Sequence, residues 1–286
     1  MNNPEGKAMS DKEVMDNPEA ILQQVQSMME SFLSNMGRTA LSDGEKTSWP
    51  AIGSCLTEKQ REAIKAMITP LDATQKHLQV DYLRVSILLQ DLERTAQNFD
   101  AAMQAGDFCE GMRELRIGLL AYYLSDDARQ KLSRYGKDDN EIHELSKKLA
   151  PRTTFLAHLR NYIAGHLDDV VLEKTCQWGG FCMFTQSALD NSAALMILVN
   201  KFLLETGINC CIASKPDDKQ VIKTEIDLTY PPDYKYFMHL MSETYNLTID
   251  FLSKVKAKIE SQLKPYGEKE AMVRAFWAGD TDFSIG

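Results

Sequence analysis

Residues 78–92, LQVDYLRVSILLQDL, decide the fold class. Their apolar side chains at Leu78, Tyr82, Val85, Leu89 and Leu92 recur at three- and four-residue spacing, which gathers them on one face of an α-helix and would scatter them over both faces of a strand. The pattern holds from Leu71 to Gly106 and predicts one long amphipathic helix.

Further along the chain, a second helix is expected over about 108–134, ending at a turn at Tyr135-Gly136. A third is expected to begin near Pro151 to Thr154, and a fourth to run from about Phe181 to Thr206 with Gly207 as its C-terminal stop. Connections of moderate length between four helices predict an antiparallel four-helix bundle within 55–207, its core at about 71–207. The period then changes. In QVIKTEIDL (220–228), Ile222, Thr224, Ile226 and Leu228 alternate with charged residues, and pairing with NCCIAS (209–214) across KPDDK predicts a small β-hairpin within 208–232. Pro231-Pro232 introduces a further helix to about Leu263, part of a helical extension over 233–286.

Towards the N-terminus, residues 1–17 are expected to be disordered, and 18–54 to form one helix followed by a linker rich in Gly, Ser and Thr. Thr57 with Gln60 has the spacing of a capping box for a helix that stops near Pro70. The expected architecture is mainly α: an antiparallel four-helix bundle with extra N- and C-terminal helices and a small β-hairpin.

Composition narrows the function classes. With 44% hydrophobic and 26% charged residues the chain reads as globular. No basic start followed by an apolar run is visible, and AALMILVNKFLLETG (193–207) is too short for a bilayer span, so a cytoplasmic location and no membrane partner are expected. A net charge of −9 argues against indiscriminate phosphate binding. The six cysteines lack paired-ligand spacing and are read as reduced thiols, so no metal is expected. Neither GxxxxGK[ST] nor GxGxxG is present, and no cofactor is expected.

Against this background LRNYIAGHLDD (159–169) stands out. If 153–172 were one helix, Leu156, Leu159, Ile163, Leu167 and Val170 would form its buried stripe, with Arg160 and His166 each about 60° from the stripe's centre and about 9 Å apart along the axis. One chain would assemble an awkward site, whereas a two-fold pair would bring Arg160 of one copy towards His166 of the other. Gly165, four residues after Asn161, leaves room for a close approach, and Asp169, three after His166, is placed to support the imidazole. The stretch leading into the motif is locally basic: Arg129, Lys131, Arg134, Lys137, Lys147, Lys148, Arg152 and Arg160 stand against Asp138, Asp139, Glu141 and Glu144. Within it Lys147, Lys148 and Arg152 are the candidate RNA contacts.

Arg160-Asn161 followed after four residues by His166 resembles the R-[polar]-x4-H signature of HEPN domains, helical bundles that often dimerise. The resemblance implies a metal-independent endoribonuclease with catalytic Arg160, Asn161 and His166 at a composite dimer site, leaving a 2′,3′-cyclic phosphate. It also implies a toxin or defence setting, with a second copy of the chain, RNA, and an antitoxin or other protein as partners. The residue types suit that chemistry: a histidine can take the 2′-hydroxyl proton, and an arginine can hold the scissile phosphate. Position 168 is Asp where some members carry a modifiable tyrosine, which does not fit that mode of regulation. The alternative is a non-catalytic helical interaction or scaffold protein, in which these residues make polar contacts at a helix edge.

Overall fold

The computed structural model describes residues 73–165, 167–214 and 221–267, together with 270, 271, 274 and 284. The expectations for 1–72 lie outside the described residues. The chain divides into two compact units, Lys76–Leu263 and a second made of 1–75 with 264–286. Within the latter, the Lys264 amide donates to Gln75 Oε1 at 3.0 Å. There too Arg274 pairs with Glu270 at 2.7 Å and lies over the Tyr266 ring.

The described residues form seven α-helices and one 3-10 turn, with no strand among them. They are α1 (Ala73–Gln104), α2 (Phe108–Leu132), the 3-10 turn Ser133–Gly136, α3 (Asn140–Ile163), α4 (Asp169–Met183), α5 (Gln186–Leu189), α6 (Ser192–Ser214) and α7 (Pro231–Gln262). α1, α2 and α7 follow their predicted bounds closely because strong signals mark them. Leu78, Val85, Leu88 and Leu92 of α1 are buried on one side, Asp107 caps α2 by accepting from the Glu110 amide, and Pro231 opens α7.

Three sequence expectations need correction. The third helix begins at Asn140, not near Pro151: Asp139 Oδ1 accepts from the amides of Glu141 and Ile142, a side-chain cap that starts the helix eleven residues earlier and leaves Pro151 in its interior. The expected fourth helix is three pieces, because Thr185 and Asn191 accept from the amides of Ala188 and Ala194 and each start a new helix. Gly207 does not end it. That glycine lies inside α6, where an added Cβ would meet Ile163 Cγ2 at 2.7 Å, so its role is close contact with α3.

The hairpin is absent among the described residues. Residues 209–214 are the last turns of α6, and 221–228 form no strand. The alternation still marks burial at Ile222, Ile226 and Leu228, but the backbone finds side chains instead of a neighbouring strand. Asn209 of α6 both donates to the Ile226 carbonyl and accepts from the Ile226 amide, each at 2.9 Å. The Leu228 amide donates to Glu205 Oε2 at 2.7 Å, and the Asp227 amide to Asp233 Oδ2 at 3.0 Å.

Helix directions follow from which residues meet. Asp81 with Arg134 and Asn98 with Glu114 make α1 and α2 antiparallel; Arg116 with Ile163 and Asp126 with Thr153 do the same for α2 and α3. Asp139 with Lys258, Glu141 with Lys254 and Arg152 with Glu243 make α3 and α7 antiparallel. α3 also packs on α6, and its Leu156, Leu159 and Ile163 are essentially removed from solvent, each burial stabilising by roughly 2 kcal/mol.

α6 has the length and apolar composition of a membrane-crossing helix. It packs on α2, α3 and α4, however, and from Asn200 to Cys211 its buried positions include polar Asn200, Glu205 and Thr206. Glu205 is fully buried yet well supplied with donors. Lys201 Nζ lies 2.9 Å from its carboxylate, and the Trp178 indole N–H and the Leu228 amide both donate to it.

Candidate functional site

The helix that carries Arg160 and Asn161 ends before position 166. The amides of Ala164 and Gly165 both turn back to the Arg160 carbonyl at 2.9 Å, closing α3 at Ile163. Asp168 then adopts an extended conformation, and its Oδ1 accepts from the Val171 amide at 3.2 Å, capping α4. The single helix expected over 153–172 is therefore not formed, because a competing cap starts a new helix within it. The buried stripe stops with it: Leu167 and Val170 are 56% and 58% exposed. The angular offsets and axial rise assigned to Arg160 and His166 on a common helix do not apply. His166 itself lies outside the described residues.

Arg160 is held by shape as much as by hydrogen bonds. Its guanidinium carbon lies 4.5 Å from the centre of the Tyr123 ring on α2, and Nη1 donates to Asn161 Oδ1 at 3.0 Å. On a third side it covers Gly165, where an added Cβ would meet Nε at 2.6 Å. Gly165 does not have a positive φ, so the glycine matters here for the space it leaves. Nε is buried and has no hydrogen-bond partner among the described residues. A fixed cation results, with a sealed N–H that no described residue accepts. It is also at the end of a helix where unsatisfied carbonyls concentrate negative potential.

A second arginine converges on the same helix end. Arg116 of α2 donates through Nε to Asn200 Oδ1 of α6 at 3.1 Å, and its Nη1 makes a long contact of 3.5 Å with the Ile163 carbonyl. Neither Tyr123 nor Arg116 was identifiable as part of the site from sequence. Both act across helices, and a sequence pattern records only neighbours on one helix.

The basic stretch is less cationic in space than along the chain. Arg129 pairs with Asp126 at 2.9 Å, Lys131 with Asp127 at 2.6 Å, and Arg134 with buried Asp81. Arg152 is tied to Glu243 of α7 at 2.9 Å, so its charge is matched within the fold. Lys147 and Lys148 are exposed on α3. Asn161 is exposed and touches Arg160; Asp169 is the exposed first residue of α4, where a negative charge suits the helix N-terminus. The structure thus brings Arg160, Asn161 and Gly165 together and places Arg152 in a separate α3–α7 contact.

Titratable groups shift where geometry demands it. The Asp139 carboxyl is held below the usual range chiefly by the Ile142 amide, with Lys258 adding to the effect. Burial raises the Tyr122 hydroxyl, and Tyr245 reinforces that shift. These groups serve caps and core, not the α3 terminus. No protein-family model matches this chain, and neither a curated protein nor a solved structure matches it.

Proposed function

We propose that the chain is a metal-independent endoribonuclease of HEPN type, built on an antiparallel four-helix bundle and completed by a second copy. The observation that carries this reading is the guanidinium of Arg160, wedged between Tyr123, Asn161 and Gly165 with no acceptor for Nε among the described residues, six residues before His166. A preorganised cation loses little freedom when a phosphate arrives, which favours stabilising the charge that develops in phosphoryl transfer.

In the proposed reaction His166 removes the proton from a ribose 2′-hydroxyl. The 2′-oxygen forms a bond to phosphorus, the bond from phosphorus to the 5′-oxygen breaks, and the leaving oxygen takes up a proton. A 2′,3′-cyclic phosphate and a 5′-hydroxyl remain. Arg160 neutralises the phosphoryl oxygens, Asn161 orients Arg160, and Lys147 and Lys148 offer exposed charge to the RNA backbone. Arg152 contributes through the position of α3, given its pairing with Glu243. Asp169 supports His166, and toxin or defence use with a protein inhibitor fits such an activity.

The test is cleavage of a mixed RNA pool in the presence of EDTA, with analysis of product ends. Arg160→Ala and His166→Ala are each expected to lower the rate by about a hundredfold or more while helicity is retained. Undiminished cleavage by either variant rejects the assignment.

A second reading has its own supporting observation. Arg160 and Arg116 both lie at the carbonyl end of α3, where cations stabilise the helix terminus, as in a non-catalytic interaction protein. On that reading Arg160→Ala lowers the melting temperature and wild type cuts no RNA.

A further inference from the structure

α4 is apolar on two sides. Val171, Thr175, Gly179 and Met183 recur every four residues along its buried side, and the helix packs on α6. Val170, Trp178 and Phe181 form a second stripe about 130° further round the helix. They are 58%, 53% and 79% exposed, and exposed Leu167 and Phe184 flank the helix at its two ends. One apolar face suffices to join a helix to its own fold, and a second made of large side chains marks a contact with another molecule. We propose that this stripe docks an amphipathic helix of a protein partner, one with lysines or arginines along the edge of its apolar face and an acid opposite Lys174.

The two largest side chains of the stripe are already held in place. The Trp178 indole N–H donates to Glu205, and the Phe181 ring stands edge-on to Phe202 with centroids 6.4 Å apart. Rings fixed before encounter lose little freedom on binding, which suits them as the anchors of an interface. Their spacing suits a helix as the occupant. Leu167, Lys174 and Phe181 are seven residues apart in sequence, and Val170 fills the three-residue step after Leu167, the repeat of a seam between two helices.

Charge selects which helix. Asp169 and Glu173, four residues apart, form an acidic row beside the stripe, and neither is in an ion pair among the described residues. With a net charge of −9 on the whole chain, this favours a cationic partner and opposes an anionic lipid surface. It opposes a second copy as well. Leu167 and Phe181, like Val170 and Trp178, lie symmetrically about Lys174, so two stripes paired on a two-fold axis set Lys174 against its own copy. Against a different helix, Lys174 meets an acid and the acidic row meets cations.

The experiment is fluorescence anisotropy of a labelled peptide titrated with the full chain. The probe is a synthetic leucine–lysine helix with leucines at three- and four-residue spacing; the controls are a scrambled peptide of the same composition and a leucine–glutamate peptide of the same pattern. Saturable binding of the leucine–lysine helix alone is expected. Phe181→Ala is expected to weaken it by about tenfold or more, and Glu173→Lys by about fivefold while admitting the leucine–glutamate peptide. No saturable binding, equal binding of either control by wild type, or an unchanged affinity in Phe181→Ala each overturns the proposal. If Phe181→Ala loses helicity by circular dichroism, Val170→Ala, which keeps a good helix former, serves in its place. In light scattering any dimer is expected to survive Phe181→Ala; one that dissociates gives the face to a second copy and overturns the proposal. None of these readouts involves RNA cleavage, so this assignment and the nuclease assignment can fail separately.

Discussion

Two polar constellations in this molecule are built on opposite terms. Around Glu205 the oxygens receive a lysine, an indole N–H and a backbone amide, and the group is sealed from solvent. Around Arg160 the guanidinium is wedged by an aromatic ring, an amide side chain and a bare glycine, and its Nε–H has no acceptor among the described residues. The first arrangement has nothing more to bind and holds the 221–228 segment on α6. The second is rigid but incomplete, the condition under which a side chain can meet a further group at little cost in ordering. A satisfied network marks architecture; an immobilised but unsatisfied one marks a place to look for chemistry.

The sharpest way to break this contrast is Glu205→Ala. Removing the carboxylate leaves the Trp178 N–H and the Leu228 amide without their acceptor and Lys201 with only a 3.8 Å contact to Asp227, and unfolding by denaturant is expected to show a loss of about 3 to 5 kcal/mol. A change below about 1 kcal/mol, the scale of a surface ion pair, would show that the network does not hold the fold.

Gly165→Ala probes the other side. The added methyl overlaps the Arg160 guanidinium, and displacing it is expected to reduce RNA cleavage by about a hundredfold while costing stability only modestly. Tyr123→Phe keeps the ring and is expected to be near wild type, whereas Tyr123→Leu removes the cation–π contact and is expected to follow Gly165→Ala. Equal effects on stability and cleavage from these substitutions would collapse the distinction between the two constellations.

The smallest effect is electrostatic. Asp139 has a lowered pKa in the folded chain, so its contribution to stability is present above the ordinary value of 3.8 and is lost as pH falls through the lowered one. Asp139→Asn keeps an acceptor for the Glu141 and Ile142 amides and is expected to flatten this acid-side decline. An unchanged acid limb in denaturation curves would assign the decline to other carboxylates.

Legibility in the sequence divided along the same line as range of interaction. α1, α2 and α7 were readable because the apolar stripe, Asp107 and Pro231 act within a helical turn. The start of α3 is masked in the sequence because Pro151 resembles a first-turn proline, although Asp139 already caps the helix. The hairpin failed for a different reason: alternation at Ile222, Ile226 and Leu228 reports which side is buried, not what satisfies the backbone, and here Asn209 and Glu205 take the place of a neighbouring strand. At the candidate site, Arg160, Asn161 and the usefulness of Gly165 were visible as spacing. Tyr123 was not, because its partner lies on another helix.

The antiparallel meeting of α3 with α7 also sets an order of events during synthesis. α1, α2 and α3 are complete once Ile163 has emerged, but the helix that supplies Lys254, Lys258 and Glu243 starts only at Pro231. At about 5 to 20 residues per second, several seconds separate the two. For that interval the nascent chain is expected to present the face of α3 that α7 later covers, a surface suited to a holding chaperone on the ribosome.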